Sequence, residues 1–203
     1  MPYIVPSMTG LVSVKGSSVL LTGQKFIPFV NATSRALCQY LTMVPISNST
    51  NMVLGPGAGT FTGRIVGCSS MLMSNLMMTG ASIKMLRGKD MKRFFDAVSF
   101  GVCTTLLTTG MVQGSVVGGG PGVGRGKILN MQPIVMQGLI ITNLIGNTFV
   151  GSKIKELAYA IAFGCCMHIM TTATVINTCI GTFTPPPIGP IMIPTAPGIG
   201  RLI

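Results

Sequence analysis

The sequence predicts a mainly β protein of three internal repeats, each about 65 residues long, with pseudo-threefold symmetry and short helices or loops between repeats. Two observations predict this class. A segment that ends on a cysteine recurs three times, and apolar runs around glycines precede each copy, as in β-hairpins. We therefore predict a single domain over residues 1–203, with repeats at approximately 8–64, 65–128 and 129–203.

The recurring segment spans residues 29–38, 94–103 and 157–166, so that its final cysteines are equivalent. A glycine lies six residues before each copy, and a Pro-Gly pair follows each copy. Landmarks that keep one order along the chain indicate a true repeat, with an insertion around residues 182–194 in the third copy. The glycines are Gly23, Gly88 and Gly151, and the pairs begin at Pro56, Pro121 and Pro197.

Each repeat opens with the pattern of a β-hairpin, at residues 12–23, 75–88 and 138–151. Glycines at the turns supply the positive φ that tight hairpins need. Residues 83–85, Ile-Lys-Met, alternate as in a strand. The apolar run after each cysteine fits a short helix or another strand, and periodicity does not separate the two.

Charged residues are scarce: the 203 residues include 14 Lys and Arg, 3 Asp and Glu, and 1 His. A surface so poor in charge is normally covered by other subunits or by lipid. Residues 97–124 and 157–200 carry no charge and are long enough to span a bilayer, so a membrane-embedded three-repeat protein or pore component is the alternative. Their Gly and Thr content makes poor helices. Residues 1–6 lack signal-peptide features, which predicts synthesis in the cytoplasm.

Short motifs resemble a known family, and the resemblance touches all three repeats. Residues 82–96 combine the hairpin pattern with Gly88 and Asp96, and residues 99–103 and 162–166 contain Phe-Gly before a cysteine. These residues resemble the repeated unit of PAAR and PAAR-like proteins. The resemblance implies a three-unit cone with a metal at its apex. It departs at Asn31 and Tyr159, which stand where Asp96 stands, and the apex histidines are mostly missing.

The resemblance also implies a function and a location. PAAR-like cones cap the trimeric spike or hub of a contractile phage tail or secretion apparatus and lead penetration of a target cell envelope. The predicted partners are therefore a trimeric spike or hub protein and the envelope, in a virion tail or injection apparatus. A chain with three equivalent units would also match a trimer by symmetry. A plug or hub ring in a virion is a further use of such a fold.

The equivalent cysteines are candidate metal ligands. Threefold packing could bring Cys38, Cys103 and Cys166 to one axis, and His168 lies two residues beyond Cys166. Three thiolates and one imidazole form a tetrahedral structural zinc site, and iron accepts the same ligands. The alternative is that each cysteine fills a small buried space. The remaining cysteines have no equivalents and are predicted to lie in the core: Cys68, Cys165 and Cys179.

The composition argues against an enzyme and against a small-molecule substrate. One histidine and three acidic residues leave little for acid–base catalysis. The glycines at 118–124 lack the Gly-Lys-Ser/Thr ending of a phosphate loop. The basic cluster at 84–93 has no interleaved aromatics for base stacking, which disfavours nucleic acid as a partner.

Overall fold

The computed structural model describes residues 5–21, 23–43, 46–53, 58–86, 88, 90–117, 123–147, 151–179 and 196–202. Two helices followed by two strands occur in this order three times. Unit 1 contains α1 (Val5–Ser18), α2 (Phe26–Met43), β1 (Ile46–Val53) and β2 (Ala58–Val66). Unit 2 contains α3 (Ser70–Ile83), α4 (Met91–Thr109), β3 (Met111–Val117) and β4 (Val123–Leu129). Unit 3 contains α5 (Pro133–Gly146), α6 (Ile154–Thr172), β5 (Thr174–Cys179) and β6 (Ala196–Leu202).

The expectation of a mainly β protein with short helices is wrong. The helices are 14 to 19 residues long and contain more residues than the strands. The segments assigned to β-hairpins are instead α1, α3 and α5 with the turns that follow them. Two glycines in these helices, Gly16 and Gly80, are contact points rather than turn formers. A Cβ on Gly80 of α3 would lie 3.1 Å from the Ala32 carbonyl oxygen of α2, so glycine lets the two helices approach closely.

The connections from barrel to helix use residues suited to them. Ser69 caps α3 and accepts a hydrogen bond from the Leu72 N–H at 3.4 Å, and α5 starts at Pro133, whose fixed φ suits a first helical position. Three residues before α3 and α5, Gly67 and Asn130 have φ of 77° and 63°. Glycine and asparagine adopt this left-handed backbone more readily than other residues.

The six strands form a closed antiparallel barrel in chain order, in which β1 also pairs with β6. Alternation along β4 buries Gly126 and exposes Arg125 and Lys127. A Cβ on Gly114 or Gly126 would come within 2.6 or 2.7 Å of the Phe61 ring. The glycines of β3 and β4 therefore make room for Phe61 inside the barrel.

The helices form a second closed layer. Each helix packs against the next, and α1 packs against α6. The second helices α2, α4 and α6 carry nine or ten buried residues each, whereas α1, α3 and α5 carry three or four. The second helices therefore lie inside and the first helices outside. Each second helix also contacts the last strand of the preceding unit, α4 with β2, α6 with β4 and α2 with β6.

Small residues bring neighbouring units into close contact. A Cβ on Gly101 of α4 would lie 2.5 Å from Ile140 Cγ1 of α5, and one on Gly164 of α6 would lie 2.3 Å from Val12 Cγ2 of α1. Each of these glycines is the eleventh residue of its helix, and Val12 and Ile140 are each the eighth residue of theirs. The same contact thus recurs at two joints between units.

Buried apolar side chains form one cluster that continues from the helices into the barrel. The repeat boundaries expected near residues 64 and 128 fall close to the ends of β2 and β4. The insertion at 182–194 and the Pro-Gly pairs at 56 and 121 lie outside the described residues, whereas Pro197 lies in β6. The single domain of three repeats stays a prediction.

Candidate functional site

The three equivalent cysteines lie on the inner helices. Cys38, Cys103 and Cys166 are each the thirteenth residue of their helix, on α2, α4 and α6 respectively. All three are buried, with 3%, 4% and 0% of their surface exposed. Nearly equal spacing in the sequence thus corresponds to equal positions on the helices.

The position two residues after each cysteine supplies the neighbours of two of the three thiols. Tyr40, Thr105 and His168 occupy it, and all three are buried. Cys38 Sγ lies 3.5 Å from His168 Nε2, and the Cys103 thiol donates to the Tyr40 hydroxyl at 3.7 Å. The first contact joins α2 to α6, and the second joins α4 to α2. Each contact therefore connects one unit with a different unit.

The four predicted metal ligands do not gather at one point. Cys166 donates to Met136 Sδ on α5 at 4.0 Å, whereas Cys38 contacts His168. Across the described ranges, no three His, Cys, Asp or Glu side chains lie close enough together to hold a metal ion. A zinc or iron site made by Cys38, Cys103, Cys166 and His168 stays a prediction, and it would require the cysteines to move together.

Burial keeps Cys38, Cys166 and His168 uncharged, whereas the pKa of Cys103 is lowered, chiefly by its hydrogen bond with Cys68. Burial raises the pKa of Cys38 to about 11 and that of Cys166 to about 12, and it lowers the pKa of His168 below its ordinary value. The contact between Cys38 and His168 therefore joins a thiol and a neutral imidazole at neutral pH. A reactive cysteine nucleophile needs the opposite, namely a thiolate stabilised by a neighbouring cation.

A further thiol contact lies between units 1 and 2. Cys68, half-buried in the connection from β2 to α3, hydrogen-bonds with Cys103, which raises the Cys68 pKa, and burial raises it further. The next backbone N–H, from Ser69, donates to the Tyr40 hydroxyl. Because Cys68 has no equivalent in the other repeats, its sequence position predicts a place in the core and no partner. Only the fold, which brings the connection against α4, identifies its partner.

In units 1 and 2, the residue at the repeat position of Asp96 forms a hydrogen bond between the two helices of the unit. In unit 2, Asp96 accepts a hydrogen bond from Ser74 Oγ at 2.5 Å, and in unit 1, Asn31 accepts one from Thr9 Oγ1 at 3.2 Å. Tyr159 occupies this position in unit 3. These hydrogen bonds between neighbouring helices are enough to explain the aspartate and the asparagine at this position.

The acidic residues of the chain lie at the starts of α4 and α6, where each pairs with a neighbouring cation. At least a third of each side chain is exposed, so the pairs contribute little stability. These carboxylates act as partners of surface cations, and the absence of enzymatic activity stays a prediction. The pairs are Asp90 with Arg93 at 3.2 Å, Asp96 with Lys92 at 2.8 Å and Glu156 with Lys153 at 3.8 Å.

No protein family, curated protein or solved structure matches this chain. The resemblance to PAAR-like proteins therefore depends on the short motifs alone. The uncharged stretches at 97–124 and 157–200 each run from a second helix into the strands that follow it. Within the described part of the chain, no helix has the length and apolar character needed to cross a membrane.

Proposed function

We propose that this chain is a structural protein that caps a threefold-symmetric partner, such as the trimeric spike or hub of a contractile tail or injection apparatus. In that position it would aid penetration of a target envelope. The cap would act as a stiff plug, without a substrate or a cofactor for catalysis. Its place would be the virion tail or the injection apparatus.

The observation that carries the proposal is the threefold recurrence of one α-α-β-β unit with a joint between the last unit and the first. Because β1 pairs with β6 and α1 packs against α6, every unit has a neighbour on both sides. Three equivalent units in one chain offer three copies of a surface, and a trimer presents three copies of the matching surface. One chain can then sit on the axis of a trimer.

The packing supports a stiff part rather than a moving one. Ile140 packs directly on Gly101 and Val12 packs directly on Gly164, so helices of neighbouring units approach closely, and a single buried cluster fills both layers. Close-packed interiors have low compressibility and transmit force. A cap that meets an envelope first needs this property.

Stoichiometry in the native assembly tests the proposal. We expect an assembly purified through a tag on this chain to contain one copy of it for every three copies of the contacting subunit, as measured by native mass spectrometry. Photoreactive residues placed at the equivalent exposed positions Pro6, Met71 and Ile134 supply an independent measurement. If one of them cross-links to a subunit, the other two should cross-link to the same site on further copies.

Two results would contradict the capping role. One is an equal copy number of this chain and its contacting subunit. The other is cross-linking from one unit only, because a partner that contacts a single unit makes no use of the other two.

A further inference from the structure

Leu20 and Met85 adopt a backbone conformation that bulky side chains normally avoid. Their φ angles are 58° and 53°, and they occupy equivalent positions after α1 and α3. Their side chains are 76% and 82% exposed, so burial does not compensate the unfavourable backbone. At two other positions with positive φ, the chain has Gly67 and Asn130, which are residues that tolerate this backbone. Backbone strain that packing does not explain points to a function for the side chains.

The connections between the first and second helix of each unit lie at one end of the helical layer. The inner helices α2, α4 and α6 are 18, 19 and 19 residues long, and each leads within three residues into a strand of the same barrel. Their starts, and the turns that precede them, therefore lie together at the end remote from these strand connections. We call this region the turn end, and define it by Leu20, Lys25, Lys84, Met85, Ile145 and Lys155.

Each unit places at least one exposed apolar side chain and at least one exposed lysine without an acidic partner among the described residues at the turn end. The apolar residues are Leu20, Met85 and Ile145, the last of which is 65% exposed. The lysines are Lys25, Lys84 and Lys155, and none of them forms an ion pair with a described residue. All three carboxylates of the chain are already paired with other cations. The turn end is therefore positive as well as apolar.

We propose that the turn end binds the surface of an anionic lipid bilayer. The three apolar side chains enter the boundary between headgroups and acyl chains, and the three lysines contact lipid phosphates. This inference goes beyond the proposed capping role and does not depend on it, since it requires only this chain and a membrane.

The pattern favours lipid over other anionic partners. A protein interface needs a closely packed apolar core with few charges, whereas these apolar side chains belong to three separate units, Leu20 and Met85 on turns and Ile145 near the end of α5, each with a lysine of the same unit. A nucleic acid would neutralise the lysines but leave the apolar side chains in water. A bilayer surface accepts separate apolar tips and supplies anionic groups around each of them.

Flotation with vesicles tests the proposal. We expect the purified chain to float with vesicles of phosphatidylcholine and phosphatidylglycerol, and to bind vesicles of phosphatidylcholine alone far more weakly. The triple variant Lys25→Gln/Lys84→Gln/Lys155→Gln should lose partitioning on the order of 100-fold, because each lysine near an anionic surface contributes about fivefold. Added salt should weaken the binding.

A matched triple variant removes the same charge from the barrel. Arg64, Arg125 and Lys127 are exposed on β2 and β4, and their replacement by Gln should change vesicle binding little. Equal losses from the two triple variants would show that net charge alone drives binding, and would overturn the proposal. Failure of the unchanged chain to bind the anionic vesicles would overturn it as well.

A matched pair of variants tests the contribution of the apolar side chains to vesicle binding. The double variant Leu20→Asn/Met85→Asn replaces two apolar side chains by asparagine, which tolerates left-handed backbone. The fold should therefore be preserved while vesicle binding falls. Met71 and Ile134, each 75% exposed, lie at the starts of α3 and α5, and their replacement by Asn should leave binding intact. Equal vesicle binding by both Asn variants and the unchanged chain would contradict insertion of the turn end.

Discussion

Cys38 Sγ lies 3.5 Å from His168 Nε2, and this contact joins unit 1 to unit 3 at the joint that closes the helical layer. Both groups are buried, and burial lowers the pKa of His168 from 6.5. Protonation of His168 would place a cation beside a thiol that cannot neutralise it. The joint between the first and last units should therefore be sensitive to acid.

The first prediction concerns stability against pH. The unfolded chain binds a proton at His168 more tightly than the folded chain, so the free energy of unfolding falls as pH falls through 6.5 and levels off below the folded-state pKa. Urea titrations at several pH values between about 7.5 and 5 should show a falling midpoint. Asp96, whose pKa lies below 3.8, does not titrate in this window.

A His168→Gln variant provides the control for this prediction. Glutamine does not titrate, so the midpoint of the variant should vary less between the same pH values than that of the unchanged chain. An identical pH dependence in the two proteins would assign the effect to other groups.

The second prediction concerns the contact between Gly164 and Val12. A methyl group at Gly164 would lie 2.3 Å from Val12 Cγ2 and 3.0 Å from the Val12 backbone nitrogen, so Gly164→Ala should destabilise the protein by about 1–3 kcal/mol. Gly138 is also helical but has no atom within 4 Å of such a methyl group, so Gly138→Ala should stabilise by up to about 1 kcal/mol. Chemical denaturation measures both values. Similar effects from the two variants would contradict close packing at this joint.

The third prediction concerns the backbone at Leu20 and Met85. Asparagine tolerates φ near 58° better than leucine does, so Leu20→Asn should raise the free energy of unfolding by about 1 kcal/mol, and Met85→Asn should act similarly. Val14 is comparably exposed but lies within α1, where asparagine gives no backbone relief. A Val14→Asn change that stabilised as much would indicate that removal of exposed apolar surface, rather than backbone strain, is the cause.

The fourth prediction concerns the filling of the barrel. Phe61 is 1% exposed and packs against Gly114 and Gly126, so Phe61→Ala should cost about 3–5 kcal/mol. Phe100 on α4 is 41% exposed, and Phe100→Ala should cost much less. Thermal unfolding followed by circular dichroism distinguishes the two. A small loss from Phe61→Ala would mean that the barrel interior does not depend on this ring.

The fifth prediction concerns the metal. If Cys38, Cys103, Cys166 and His168 bind zinc or iron, elemental analysis of purified protein will find about one ion per chain, and Cys103→Ser will lower that content. A chelator should then also lower the thermal midpoint, because a metal that binds only the folded state stabilises it. Metal-free protein with an unchanged midpoint would leave the thiols as buried packing groups.

The equivalence of the cysteines could be predicted from spacing, because units of similar length separate Cys38, Cys103 and Cys166 by 65 and 63 residues, and each is the thirteenth residue of its helix. The contact between Cys103 and Cys68 could not, since it depends on how the connection from β2 to α3 lies against α4. Sequence spacing identifies positions within a unit. It does not identify which other unit supplies the neighbour.

The first element of each unit is a helix, although the sequence pattern predicts a β-hairpin there. Residues 12–23 combine Gly with Val and Ser, which favour turns and strands over helices. In the structure, Val12 is held in α1 by contact with Gly164 of α6, from the other end of the chain. Tertiary packing thus overrides local propensity at the positions where the sequence pattern most clearly predicts a β-hairpin. Ile83 and Met85 alternated as in a strand, yet both stand exposed where α3 ends.

The pairing of β1 with β6 has a consequence for folding. Ile46 pairs with Arg201, so about three quarters of the chain lies between these two paired residues of the strands that close the barrel. Contacts this distant in sequence slow folding, because the entropy of closing a long loop is lost before the pairing is gained. During synthesis, β1 therefore presents an open edge to other nascent chains until β6 leaves the ribosome, and that interval is when the protein is most prone to aggregation.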